Sequence, residues 1–189
     1  MRSPLFLLLT LVFFTVIDAQ GQARVAFDLR PENSSLPEVT RTRVVTDDGA
    51  NSSASVAANL ERKVFNVLNA VRQDQGLQKL EWNDDVAAVA RMHSQNMANE
   101  KFFSHRGSDG SMVDDRADRV GLGTWRTIGE NIAYMRGYDD PAALAVEKWM
   151  ESTAHRKNLL GPNWKESAVG VAITSDGTYY LTQVFLLRK

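Results

Sequence analysis

Cysteine is absent from all 189 positions. That excludes disulfides, thiolate nucleophiles and lipid attachment at a cysteine behind a leader, so an exported domain built from this chain relies on its core alone. An excess of one charge sign is also absent: Lys and Arg number 22, Asp and Glu 23, for a formal net charge of −1. Nucleic-acid binding and a polybasic membrane patch both need concentrated Lys and Arg, and the overall balance signals neither. No apolar run reaches the ~18–20 residues that span a bilayer, and no internal repeat is present. What remains is ordinary globular usage, with 43% hydrophobic and 24% charged residues, enough to build a core.

The longest apolar run, LFLLLTLVFFTVI at 5–17, follows Arg2 and precedes the small residues Ala19, Gly21 and Ala23. A charged start, a short apolar stretch and small residues form the pattern of a cleaved secretory signal, so residues 1–23 are expected to be a signal peptide rather than a permanent membrane anchor. Residues 24–55, with RPENSSLPEV and TDDGANSSAS, mix charge with Ser, Asn, Pro and Gly without a sustained period. They are expected to be a linker or tail. The folded domain is expected over 56–189.

Helical periodicity begins at about 56, where Leu60, Val64, Val67, Leu68 and Val71 share a stripe and Gly76 ends it. Asn83 suits the N-cap of a second helix carrying Val86, Val89, Ala90, His93 and Met97 on one face. Ser111 and Asp114 suggest a capping-box start for a short third helix, while 121–137 is punctuated by glycine and reads as irregular. Asp140 and Pro141 open a fourth helix with Ala142, Ala145, Val146 and Trp149 inward. The last segment changes period: AVGVAIT and TYYLTQVFL flank Ser175, Asp176 and Gly177 as a β-hairpin would. Helices first and a hairpin last predict an α+β fold, with helices packed on a small antiparallel sheet.

Residues with chemistry concentrate between 102 and 160. His105, Glu130 and His155 are separated by 25 residues at each step, so a tertiary fold alone could join them. His93 on its apolar stripe is expected to be a partly buried helix histidine with one satisfied nitrogen. Ser104, Ser111 and Ser152 lie near histidines, but none sits in a G-x-S-x-G turn. GSDG at 107–110 lacks the Lys of a phosphate loop and reads as a turn. The charged run from Asp114 to Arg119 reads as a solvated face.

In order, LNAVRQDQGLQKLEWNDDVAAVARMHSQNMA, FFSH, GENIA, WMESTAHRKNLL, AVGVAIT and TQVF resemble the CAP superfamily, or SCP domains, from about 60 to 189. The resemblance implies an α/β/α sandwich and a cleft of two histidines and two acids that binds a divalent metal in animal members. His105 and Glu130 match the first histidine and the first acid, and His155 matches the second histidine. Ser152 stands where the second acid is expected, with Glu151 and Glu147 nearby. Three donors, His105, His155 and Glu130, could still take zinc; a cleft of histidines and a carboxylate bonded to one another is the competing arrangement. The implied function is a secreted, extracytoplasmic binding or interaction module for lipid or cell-envelope material. The alternative is a metal-assisted hydrolase of peptide or envelope polymer, with Glu130 as general base. A structural adhesion domain is a third reading.

Overall fold

The structure is a computed structural model describing residues 13–17, 23–29 and 47–189, with side chains described from residue 54 onward. Its elements are, in chain order, β1 (Phe13–Ile17), β2 (Ala23–Leu29), α1 (Asp47–Asp74), β3 (Glu81–Trp82), α2 (Asp84–Glu100), α3 (Val113–Arg119), β4 (Trp125–Arg136), α4 (Pro141–Glu151), α5 (Thr153–Leu159), β5 (Glu166–Ile173) and β6 (Thr178–Arg188). Local signals set several ends. Asn83 Oδ1 accepts the Val86 N–H at 3.0 Å and Asp140 Oδ1 the Ala143 N–H at 3.1 Å, each satisfying an amide that a helix start leaves unbonded. Gly76, at φ +73°, closes α1 in the left-handed conformation that glycine adopts without strain.

The strands form one sheet in the order β1-β2-β4-β6-β5-β3. β4, β6 and β5 pair antiparallel at its centre, while β2–β4 and β3–β5 are parallel, so the sheet is mixed rather than purely antiparallel. Because strand side chains alternate between faces, each strand feeds two cores. Val169, Val171, Leu181 and Phe185 pack under α1, α4 and α5 with Val64, Leu68, Trp149 and Leu159. Ala168, Val184 and Leu186 pack under α2 and α3 with Val86, Val89 and Ala117. The result is an α/β/α sandwich, as the family resemblance implied.

Several expected boundaries move. α1 begins at Asp47, and β2 occupies 23–29, so strand and helix both enter the stretch read as tail. β1 falls within the leader run, where the β-branched and aromatic stretch FFTVI suits an extended chain. The other residues of the expected signal and tail lie outside the described residues. The glycine-punctuated 121–137 segment is mostly the twelve-residue strand β4, because partners on β6 from Arg188 to Thr178 override weak local propensity. α3 starts one residue later than its expected cap: Asp115, not Asp114, accepts the Met112 N–H at 2.8 Å. WMESTAHRKNLL is two helices, since Ser152 is extended (φ −84°, ψ 125°) between α4 and α5.

Candidate functional site

The centre of the site is Glu130 on β4, whose side chain leaves the sheet toward α2 and α3, while its neighbour Asn131 faces α5. Glu130 Oε1 accepts from His105 Nδ1 at 2.7 Å, and Glu130 Oε2 accepts from Arg116 Nη2 at 2.7 Å. His105 lies on the loop after α2, and the guanidinium of Arg116 holds that loop as well. Its Nη1 donates to the carbonyls of Ser111 at 2.9 Å and His105 at 3.2 Å, and Nη2 donates to the His105 carbonyl at 3.2 Å. His93 comes from α2 beneath them, with Nε2 donating to the Ser104 carbonyl at 2.9 Å and lying 4.0 Å from Glu130 Oε1. His155 approaches from α5, its ring centroid 6.3 Å from that of His105. Asn131 Nδ2 donates to the His155 carbonyl at 3.2 Å, and Asn158 Nδ2 donates to Asn131 Oδ1 at 3.0 Å, tying β4 to α5.

Asn158 is half-buried and the other side chains are buried, with Arg116 and His93 fully so. Burial alone raises the pKa of Glu130, but the hydrogen bond from His105 and the charge of Arg116 outweigh it and hold the carboxyl at about 2. An ionised carboxylate only accepts, so Nδ1 of His105 carries a proton and a neutral ring has its lone pair on Nε2. Burial, and then the charge of His105, push His155 down to about 3. Burial likewise lowers His93 against the opposing pull of Glu130.

The structure thus bonds His105 to Glu130 and sets the His155 ring 6.3 Å from that of His105, but it places the other two expected cleft residues elsewhere in role. Ser152 is buried, and its Oγ caps α5 toward the His155 N–H at 3.5 Å. Glu151 faces solvent and accepts from Lys148 Nζ at 2.7 Å. Two participants were missed in the sequence. Arg116, read as part of a solvated face, shares one side of α3 with the buried Val113 and Ala117; that i, i+3, i+4 spacing was the available signal. His93, expected to be a partly buried helix histidine with one satisfied nitrogen, has its Nε2 satisfied by the Ser104 carbonyl, but it is fully buried and lies 4.0 Å from Glu130 Oε1.

A divalent ion does not fit this donor set. Both Glu130 oxygens are engaged, Arg116 brings a fixed positive charge to the carboxylate, and Ser152 is spent on a helix cap. Among the described residues, no three His, Asp or Glu are arranged to hold a metal ion.

Along α4 and α5, an open groove of about 500 Å³ is lined by Met150, Leu160 and Pro162 together with Glu151, Arg156 and Lys157, and by none of the cluster's side chains. Lys148 Nζ pairs with Glu151 at 2.7 Å and also with Glu147 at 3.4 Å. Arg156 and Lys157 are exposed and form no ion pair among the described residues.

The three-layer fold of helices on a small mixed sheet matches that of solved SCP-domain structures. Residues 65–185 match the family model "Cysteine-rich secretory protein family", and the chain belongs to this CAP family. Among curated relatives, the "Uncharacterized membrane protein YlbC" of Bacillus subtilis (strain 168) is 35% identical over 80% of this chain and 40% of its own length. The "Uncharacterized protein YkwD" of the same organism is 32% identical over 82% of this chain and 57% of its own. The chain therefore spans roughly half the length of these relatives. A crystal structure of an extracellular SCP-domain protein from Bacillus anthracis superposes with a TM-score of 0.63 at 28% identity, covering 78% of this chain and 45% of that one.

Proposed function

We propose that this chain is an exported CAP-domain binding module whose ligand is an acidic lipid of the cell envelope, taken in the groove along α5. The observation that carries the proposal is where unspent charge lies. In the histidine cluster the charges answer one another, whereas Arg156 and Lys157 have no ion-pair partner among the described residues and line the groove with Met150, Leu160 and Pro162. Two cations over the half-exposed Met150 and Leu160 and the exposed Pro162 complement a molecule with an acidic headgroup and a hydrocarbon chain. An exported location follows from the leader pattern, and no helix among the described residues is long and apolar enough to cross a membrane. The hydrolase alternative requires Glu130 to take a proton from water, and a carboxyl held at about 2 by two charge-assisted bonds is a poor base.

The test is co-sedimentation of the full chain with phosphatidylglycerol vesicles, phosphatidylcholine vesicles and purified cell-wall sacculi. The wild type pellets with the acidic vesicles, the double variant Arg156→Glu/Lys157→Glu loses at least ~10-fold in affinity, and His105→Ala retains it. Equal pelleting with both vesicle types, or with sacculi alone, overturns the lipid assignment.

A further inference from the structure

We propose that Arg116 is the resident cation of the cleft: its guanidinium permanently takes the place that a divalent ion would need, and so fixes the position and tautomer of His105 without metal. This goes beyond the lipid proposal and does not depend on it. The argument begins with charge. A buried carboxylate requires a compensating cation, and a metal or a guanidinium can supply one. Here Arg116 Nη2 lies 2.7 Å from Glu130 Oε2, both side chains being almost wholly buried. A second cation at Glu130 would therefore meet a like charge in a poorly solvated site. The guanidinium also has a shape that an ion lacks. With Glu130 Oε2 on one side and the carbonyls of His105 and Ser111 on the other, its planar fork binds the acid and the backbone of the histidine's own loop together. Glu130 then presents Oε1 to His105 Nδ1. Arg116 is accordingly a positioning residue acting on His105 by two routes.

The consequence is that a metal site is latent in the chain and closed by one side chain. Replacing Arg116 with a carboxylate sets a second acid beside Glu130 and His105, a donor set that needs a cation.

The test is zinc titration by calorimetry on the full chain for wild type, Arg116→Glu and Arg116→Gln, with thermal melts with and without zinc and nitrogen NMR of the imidazoles. The wild type is expected to take up no zinc at the cleft, showing no heat that His105→Ala removes. Arg116→Glu is expected to bind one zinc at least ~10-fold more tightly than the wild type and to melt higher with zinc than without. If Arg116→Glu folds only with zinc, that rescue is itself the expected result. Arg116→Gln, which removes charge without adding a donor, is expected to alter the His105 tautomer signals, and Arg116→Lys to restore them in part. Stoichiometric zinc in the wild type that His105→Ala abolishes overturns the proposal. So do failure of zinc either to bind or to rescue Arg116→Glu, and unchanged His105 signals in a folded Arg116→Gln.

Discussion

At the scale of single residues, the buried histidines couple folding to pH, and the sign follows from their direction of shift. His155 is held down to about 3 by burial and then by the charge of His105, whereas an unfolded histidine titrates near ~6.5. Between those values the unfolded chain carries a proton that the folded chain refuses. Stability from this group is therefore complete above ~6.5 and declines as pH falls toward 3. His93 is shifted the same way, with Glu130, Arg116 and His105 as the charges facing it. Glu130 contributes in a lower window, losing stability as pH falls from its ordinary value of 4.5 to about 2. Urea titrations at about pH 7.5 and about pH 5.5 are expected to show a loss on the order of 1–2 kcal/mol, at ~1.4 kcal/mol for each pH unit below the free value. His155→Gln should flatten that slope. Identical midpoints at the two pH values would show that these histidines are solvated in the folded chain.

At the scale of elements, the contact that most constrains the fold is that of α2 on β5. A Cβ built on Gly170 would collide with the Arg91 amide nitrogen and the Ala90 carbonyl carbon, backbone atoms that cannot swing aside. Ser94 Oγ reinforces the approach by donating to the Gly170 carbonyl at 2.9 Å. Gly170→Ala is expected to cost ~1–3 kcal/mol or more, as overpacking of a filled interior does, and to lower the melting midpoint by several degrees. A melt superposable on the wild type would mean that α2 rides loosely on the sheet. This strand also shows what could be read beforehand. β5 and β6 were legible because their β-branched runs and the Ser175-Asp176-Gly177 turn agree with the fold, and α2 because its cap and stripe agree. β4 was not, because Gly129 suits the ring of Trp164, 3.1 Å from its would-be Cβ, and that partner lies far along the chain. In the cleft, the ordered motifs pointed to His105, Glu130 and His155, while the spacing of Arg116 with Val113 and Ala117 signals only that it faces inward, and its role depends on a tertiary ion pair with Glu130.

At the scale of the whole molecule, the layers meet at β4, which carries Glu130 toward α3 and Asn131 toward α5, so the cleft is held by the central sheet and not by its N-terminal edge. Among the described residues, β1 pairs with β2 alone, and β2 meets β4 through Asp28↔Tyr134 and Leu29↔Met135. β4 and β6, by contrast, pair along nearly their full lengths. Cleavage of the leader between Ala19 and Arg24 would remove an outer strand and leave both helical layers with all their partners. N-terminal sequencing of secreted material is expected to place the first residue in that interval. A chain beginning there is expected to melt within ~2–4 °C of the full chain, the shift that about 1 kcal/mol produces at this size. A larger drop would show that β1 contributes to the folded domain, and an intact Met1 terminus in the membrane fraction would show that the apolar run stays as an anchor.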